Sequence, residues 1–425
     1  MFTRLQTPEG MRDYLPQEVE QYLHIEQTLR KAFKLWGYEE VCSPVIEFVD
    51  ALSIGVDPDF IDNMFKFQDR DGKILALRAE MTTPIARIVA TKMSSKPKPL
   101  RLFYICNVFR YNRSYFEKLR EFHQAGVELI GCNKPEADGE IISLLLFSTE
   151  KIGLDKVRID LGHAGLLSEI LNIMRLQESE KEFFQKILKS RNTAKIEKFT
   201  EDFNTPSELK DLLLRLLKCA RLKDLQSISL DSGLVKVQKI FEELLEINDI
   251  LFDYGVEKEV FFDFSLARGI GYYTGVVFEA SVSNIGLPLG GGGRYDNLLE
   301  KLSGVKLPAT GFAIEVEKCL WALDNRDLEI SKRSEPKALV KSKSRSAGIK
   351  VSKFLRDAKI PCLLNFDETD VKDVIEYAKQ MGISHVIFVG SSTEEPLEIH
   401  DVELGLVEKS KLQSFVKSVR NRYYE

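Results

Sequence analysis

Residues 100–131 concentrate side chains that suit binding more than attack: Arg110, Glu121, His123, Gln124 and Glu128. Because strand side chains alternate, an extended segment here would put Gln124 and Glu128 on one face and His123 on the other. A half-buried strand ordinarily keeps one face apolar, so an amide and a carboxylate where a core face belongs predict the floor of a polar pocket. Glu80 stands in Arg78-Ala79-Glu80-Met81-Thr82-Thr83-Pro84, between an expected strand end and a helix start, where a carboxylate can hold an ammonium group. Arg268, Tyr272 and Tyr273 lie in residues 267–275, where glycines let backbone approach a ligand and tyrosines supply walls and hydroxyls. The run Gly290-Gly291-Gly292-Gly293 is open to two readings, a phosphate-binding turn or a tight turn against a sheet. His163, flanked by Gly162 and Ala164-Gly165, reads as a turn or packing residue and not as a base. The six cysteines are scattered without a Cys-x-x-Cys pair, so neither a zinc site nor a disulfide framework is expected.

Positioning these groups requires a mixed architecture. Residues 102–109 and 122–130 are β-branched and aromatic and predict two antiparallel strands joined by a long basic loop at 111–118. Before them, Tyr22, Ile25, Leu29, Phe33 and Trp36 recur at helical spacing, with Gly37 as a stop. Residues 39–49 predict a strand interrupted by Pro44, and 65–77 a hairpin turning at Asp71-Gly72. A helix over 137–151 and strands over 156–161, 261–266 and 276–280 follow. Residues 166–254 are helical almost throughout; Leu209, Leu212, Leu213, Leu216 and Leu217 form one face of one helix. Lys-, Ser- and Arg-rich residues 326–346 read as a linker, after which helices and strands alternate in a small α/β module.

With 425 residues, 44% hydrophobic and 29% charged, the chain is an ordinary globular protein of two or three domains. It shows no apolar run of membrane-spanning length and no signal-peptide core near residue 1, and the expected compartment is the cytoplasm. A net charge of −5 argues against tRNA or another nucleic acid as a partner.

Phe109-Arg110, the basic loop, then Arg120-Glu121-Phe122-His123-Gln124 with Gly126-Val127-Glu128 and Gly131 resemble motif 2 of class II aminoacyl-tRNA synthetases in its histidyl form. Two groups share the pattern: histidyl-tRNA synthetases and the ATP phosphoribosyltransferase regulatory subunits of histidine biosynthesis. The resemblance implies an α+β fold: a class II synthetase-like antiparallel sheet flanked by helices over residues 1–325, with a helical insertion at about 166–254. Residues 326–346 would link it to a small C-terminal α/β domain, 347–425, shaped like a degenerate anticodon-binding domain. The first helix and the Pro44 strand match motif 1, which implies a dimer of the cores. Glu80, Thr82, Arg110, Gln124, Glu128, Arg268, Tyr272 and Tyr273 match the family's histidine-contacting positions. Their chemistry suits that ligand: carboxylates for an α-ammonium, arginine for a carboxylate, acceptors and a flat wall for imidazole.

Two segments separate the groups. Synthetases show Arg-Pro-Glu-Gly-Thr where this chain has Arg78-Ala79-Glu80-Met81-Thr82. In motif 3 they place glycine where Glu315 stands and an ATP-binding arginine where Lys318 stands. A glutamate adds bulk and negative charge beside a triphosphate, and lysine lacks the planar fork of a guanidinium. Arg268, retained as in synthetases, keeps histidyl-tRNA synthetase activity as the alternative. The expectation is a non-catalytic regulatory subunit with no catalytic residue, metal or cofactor of its own. It would bind free histidine and assemble with the short-form ATP phosphoribosyltransferase catalytic subunit, enabling its activity and its feedback inhibition.

Overall fold

The computed structural model describes residues 5–111, 119–190, 192–230, 233–266, 271–324, 337–365, 370–392 and 395–423. The chain divides into two compact units, 1–327 and 328–425. No helix among the described residues is long and apolar enough to cross a membrane.

The strands of the first unit are, in chain order, β1 (Glu39–Glu40), β2 (Ile46–Phe48), β3 (Lys66–Gln68), β4 (Ile74–Leu77), β5 (Leu100–Phe109), β6 (Glu121–Ile130), β7 (Arg158–His163), β8 (Val260–Phe262), β9 (Val276–Ser281), β10 (Pro288–Arg294) and β11 (Ala309–Glu315). Eight of them form one sheet in the order β1-β5-β6-β11-β10-β9-β7-β8, while β2-β4-β3 form a separate small sheet. Residues directly opposite one another on paired strands project to the same face. The row Phe103, Val127, Phe312, Gly292, Phe278 therefore lies on one side of the sheet. Phe33 of the helix Pro16–Leu35 packs there, its ring 5.4 Å from Phe103 and 6.0 Å from Phe312. That is the apolar face. The next rows along project to the opposite side: Leu102, Glu128, Gly311, Gly293, then Tyr104, Gly126, Ala313, Gly291, then Cys106, Gln124, Glu315.

The glycine run is thus not a turn. Gly290 to Gly293 lie within β10, hydrogen-bonded between β9 and β11, and the lack of side chains at Gly291 and Gly293 keeps the floor beside Glu128 low. Gly311 is required for the same reason: a Cβ there would run into the Glu128 carboxylate.

Three further expectations are corrected. Residues 39–49 are two strands in two sheets, β1 beside β5 and β2 beside β4, because Ser43-Pro44 breaks the ladder. Arg78 fills the break, donating 2.9 Å to the Ser43 carbonyl and 2.7 Å to that of Asn107. The strand expected over 261–266 ends at Phe262, since Asp263 folds back to accept from the Ser265 amide (2.9 Å) and hydroxyl (2.6 Å). In the second unit, the segment read as linker contains β12 (Ala338–Ser342), the strand that pairs parallel with both β13 (Cys362–Leu364) and β14 (His385–Val389). Its buried Ala338-Leu339-Val340 is too short an apolar run to stand out among lysines and serines. Strands β15 (Leu397–Asp401) and β16 (Leu406–Ser410) complete that five-stranded sheet. The basic loop at 112–118 lies outside the described residues.

The helical insertion holds helices Ala164–Ile173, Glu178–Lys189, Thr193–Asp202, Ser207–Leu216 and Val235–Asp253. Leu209, Leu212, Leu213 and Leu216 are buried as their spacing implies, and Leu217 is half-buried. His163 caps the first of these helices, accepting 3.1 Å from the Leu166 amide.

A buried ion pair ties the sheet to the helix Pro135–Lys151. Arg294, at the end of β10, donates 2.6 and 2.9 Å to Asp138 and 3.0 Å to the Cys132 carbonyl. Burial pushes the Asp138 carboxyl up to about 6, and the guanidinium opposes that shift. Removing one partner of such a pair strands a buried charge. Asp138→Ala is expected to cost about 3–5 kcal/mol in urea unfolding; a change within the scatter of surface substitutions would contradict the pair's structural role.

Candidate functional site

Glu128, only 1% exposed, is the centre of the polar face. Its Oε1 accepts from the Thr82 hydroxyl at 2.8 Å, and its Oε2 accepts from the Tyr295 hydroxyl. Thr82 in turn belongs to the start of the helix Thr82–Lys92, where Glu80 accepts from the Thr82 amide (2.6 Å) and the Thr83 amide (2.9 Å). Those amides are unpaired within the helix by geometry, so Glu80 satisfies them from the preceding loop. Thr82 therefore joins both carboxylates, one through its amide and the other through its hydroxyl. Tyr272 closes the wall, its ring centroid 5.6 Å from Tyr295 and 5.0 Å from Tyr273.

Among the described residues the bonded partners of Glu80 and Glu128 are amides and hydroxyls, not cations. Burial accordingly pushes Glu128 up to about 8; the hydrogen bonds from Tyr295 and Thr82 pull it back, and the neighbouring Glu80 charge adds to the rise. Burial also raises Glu80, against the hydrogen bonds of Thr83 and Thr82. The Tyr104, Tyr272 and Tyr295 phenols are raised by burial, so they stay neutral donors. Two acceptable partners are left over on this face: among the described residues the buried Gln124 Oε1 and Tyr104 hydroxyl have no hydrogen-bond partner. A sheet face and helix start with two carboxylates, neutral phenols and, among the described residues, unsatisfied amide and hydroxyl groups suit a small ligand carrying an ammonium and polar ring nitrogens.

Beside Gln124 the charge reverses. Glu315, its partner across β6 and β11, has Oε1 3.1 Å from Lys318 Nζ and 4.0 Å from Arg110 Nη2. The Arg110 guanidinium lies 5.2 Å over the Phe122 ring and 5.6 Å from that of Phe60. On the far face His123 is engaged elsewhere, with Nδ1 2.8 Å from Glu317 Oε1 and its amide donating to the same carboxylate.

The sheet thus brings Glu80, Thr82, Gln124, Glu128 and Tyr272 together, with Tyr273 half-buried against Tyr272 and Arg110 next to Glu315. Arg268 lies outside the described residues. Tyr295 and Tyr104 escaped the sequence reading. Tyr104 had a usable signal, since it stands directly opposite Gly126, where a Cβ would strike its hydroxyl.

A family model described as histidyl-tRNA synthetase matches residues 10–319. The ATP phosphoribosyltransferase regulatory subunit of Acetivibrio thermocellus is 33% identical over 98% of this chain and 99% of its own length. That of Halothermothrix orenii is 38% identical over 77% and 78%. A histidine–tRNA ligase of Thermococcus kodakarensis is 30% identical over 98% and 99%. Among solved structures, a Bacillus halodurans protein described as an ATP phosphoribosyltransferase regulatory subunit/histidyl-tRNA synthetase superposes with a TM-score of 0.78 at 29% identity, covering 92% of this chain and 99% of that one.

A carboxyl whose pKa is higher folded than unfolded binds more protons in the folded state, so stability falls as pH rises between the two values. For Glu128 that window runs from the ordinary 4.5 to about 8. Urea unfolding of the ligand-free protein should therefore show stability declining across it, and Glu128→Gln should flatten the decline. An unchanged pH profile in the variant would show that Glu128 does not carry this linkage.

Proposed function

The chain belongs to the histidyl-tRNA synthetase family and, within it, to the ATP phosphoribosyltransferase regulatory subunits, and we propose that it works as a non-catalytic histidine sensor. One observation carries the reading: an ammonium-seeking pair, Glu80 and Glu128, stands intact on the same floor where Glu315 fills the neighbouring anionic seat. Histidine would place its α-ammonium against these carboxylates and its imidazole between Gln124, Glu128 and the Tyr272 and Tyr273 rings. Its carboxylate would go to Arg110, with Arg268 as the second arginine implied by the resemblance. A ligand that brings its own cation relieves the strain of two buried carboxylates, which favours free histidine as the effector.

The partner in this reading is the short-form ATP phosphoribosyltransferase catalytic subunit, which this chain would activate and subject to histidine inhibition at the first step of histidine biosynthesis. Neither tRNA nor a cofactor takes part, and the complex would work in the cytoplasm. Exposed Val45, Ile46, Phe48, Phe67 and Ile74 on and beside the β2-β4-β3 sheet support self-association of the cores as a dimer, because several large apolar groups on one small sheet favour a protein interface. The proposed domain division keeps residues 1–325 as the sensing core, and the C-terminal module is a separate unit that includes β12.

Purified protein should show no histidine-dependent exchange between ATP and pyrophosphate; exchange at a synthetase-like rate would restore the ligase alternative. Calorimetry should detect histidine binding without ATP. Glu128→Ala and Gln124→Ala should each weaken it by about ten- to a hundredfold, the loss of a charge-assisted or buried hydrogen bond. Wild-type affinity in both variants would exclude this pocket.

A further inference from the structure

Beyond Phe33, at the end of the first helix, three aromatic rings line one cavity of about 370 Å³. They come from separate parts of the chain: Trp36 caps the helix Pro16–Leu35, Phe147 lies in the helix Pro135–Lys151 and Tyr254 caps the helix Val235–Asp253. Trp36 stands between the other two, its ring centroid 5.8 Å from Phe147 and 5.7 Å from Tyr254. Two polar groups of the same lining are unsatisfied. Among the described residues neither the hydroxyl of Ser143, 3% exposed, nor the buried Oε2 of Glu259 has a hydrogen-bond partner. We infer that this cavity is a second ligand site, for a small organic cation whose ammonium is held by Glu259 and Ser143 and whose carbon chain lies along the three rings.

Charge selects the sign of the ligand. A buried carboxylate oxygen without a donor is costly, and a cation that also donates hydrogen bonds offsets that cost best. The nearby cations of the chain are engaged elsewhere. Arg221 donates 2.6 Å to the Lys258 carbonyl and 2.8 Å to that of Val260, on either side of Glu259, and its guanidinium lies 3.7 Å over the Phe261 ring. Arg158 is paired with Asp160 at 2.6 Å. Lys151 stands outside the lining, 3.6 Å from Glu150 and 4.9 Å over the Phe147 ring, a contact in which that ring already receives an ammonium. The charged groups of the lining itself are three carboxylates, Glu150, Asp155 and Glu259, against the exposed Lys156, so an anion is disfavoured. Aromatic faces attract ammonium groups and cover the carbon chain that carries them. The inference goes beyond the regulatory reading: none of these residues belongs to the Glu80 and Glu128 pocket, and Phe33, just before Trp36, packs on the face of the sheet opposite Glu128.

Fluorescence titration of the full chain with putrescine, a four-carbon diamine, at constant ionic strength tests it. The protein contains two tryptophans, Trp36 and Trp321, so a Trp321→Phe background leaves Trp36 as the reporter. Putrescine should change its emission saturably, while butane-1,4-diol, the same carbon chain without charge, should not. Glu259→Gln should weaken putrescine binding at least about tenfold, the loss expected for a charge-assisted contact. Tyr254→Leu should weaken it by about two- to fivefold through the lost ring face. Tyr254 is 47% exposed and tolerates replacement, so this variant serves as the test should Glu259→Gln fail to unfold cooperatively. No saturable response, equal responses to diamine and diol, or unchanged affinity in both variants would overturn the inference. A response lost in Glu128→Ala and kept in Glu259→Gln would assign the diamine to the carboxylate pocket and overturn it as well. Histidine titration of the same protein reads the sensor proposal separately, because its failure leaves the putrescine comparison intact.

Discussion

Glu128 is a carboxylate buried against hydroxyls. Its partners among the described residues, Thr82 and Tyr295, can donate to it but cannot neutralise it, and burial raises its proton affinity into the physiological range. Much of the surrounding structure is arranged to permit this. Gly311 leaves room for the carboxylate, Glu80 ties down the helix start that delivers Thr82, and Tyr295 arrives at the end of a strand whose glycines keep the floor low. Such a site is costly when empty, and a ligand with a positive charge offsets the cost.

The strand register connects this seat to its neighbour. Glu128 and Gln124 on β6 face Gly311 and Glu315 on β11, so the ammonium-seeking end and the self-filled anionic end share one pair of strands. The same β11 leads straight into the helix that carries Glu317 and Lys318, and Glu317 holds His123 on the opposite face of β6. In the proposed reading, a histidine carboxylate would draw Arg110 away from Glu315, changing a contact at the head of that helix. A ligand can shift an assembly only by binding one arrangement better than another, and an exchange of ionic partners at a strand-to-helix junction is a physical means of doing so.

The fold was legible where local pattern and tertiary role agree. The β5-β6 hairpin, the first helix and the leucine face of the insertion follow from period and composition alone, and the alternation that separates Gln124 and Glu128 from His123 is realised in the sheet. It was illegible where a residue's role depends on a distant strand. Four successive glycines have no strand propensity, yet they pair in β10, where Gly291 and Gly293 lie on the Glu128 face and a Cβ at Gly290 or Gly292 would run into the β11 backbone. Pro44 signalled an interruption without revealing that the two halves join different sheets. Tyr295 gave no local sign of its bond to a carboxylate on β6, a partner set by the order β6-β11-β10. β12 was lost because three buried residues make too short a run to outweigh their basic surroundings.

If the Glu80 and Glu128 pocket senses histidine on behalf of another protein, as proposed, histidine and the partner must each change the other's affinity. Histidine affinity should be measured by calorimetry for this chain alone and for its reconstituted complex with a short-form ATP phosphoribosyltransferase catalytic subunit, alongside the affinity between subunits with and without histidine. The complex should form and the two ratios should agree, since coupling between binding sites is reciprocal. Both shifts should disappear in Glu128→Ala. Subunits that do not associate, or a histidine affinity identical in the free chain and the complex, would contradict the proposal.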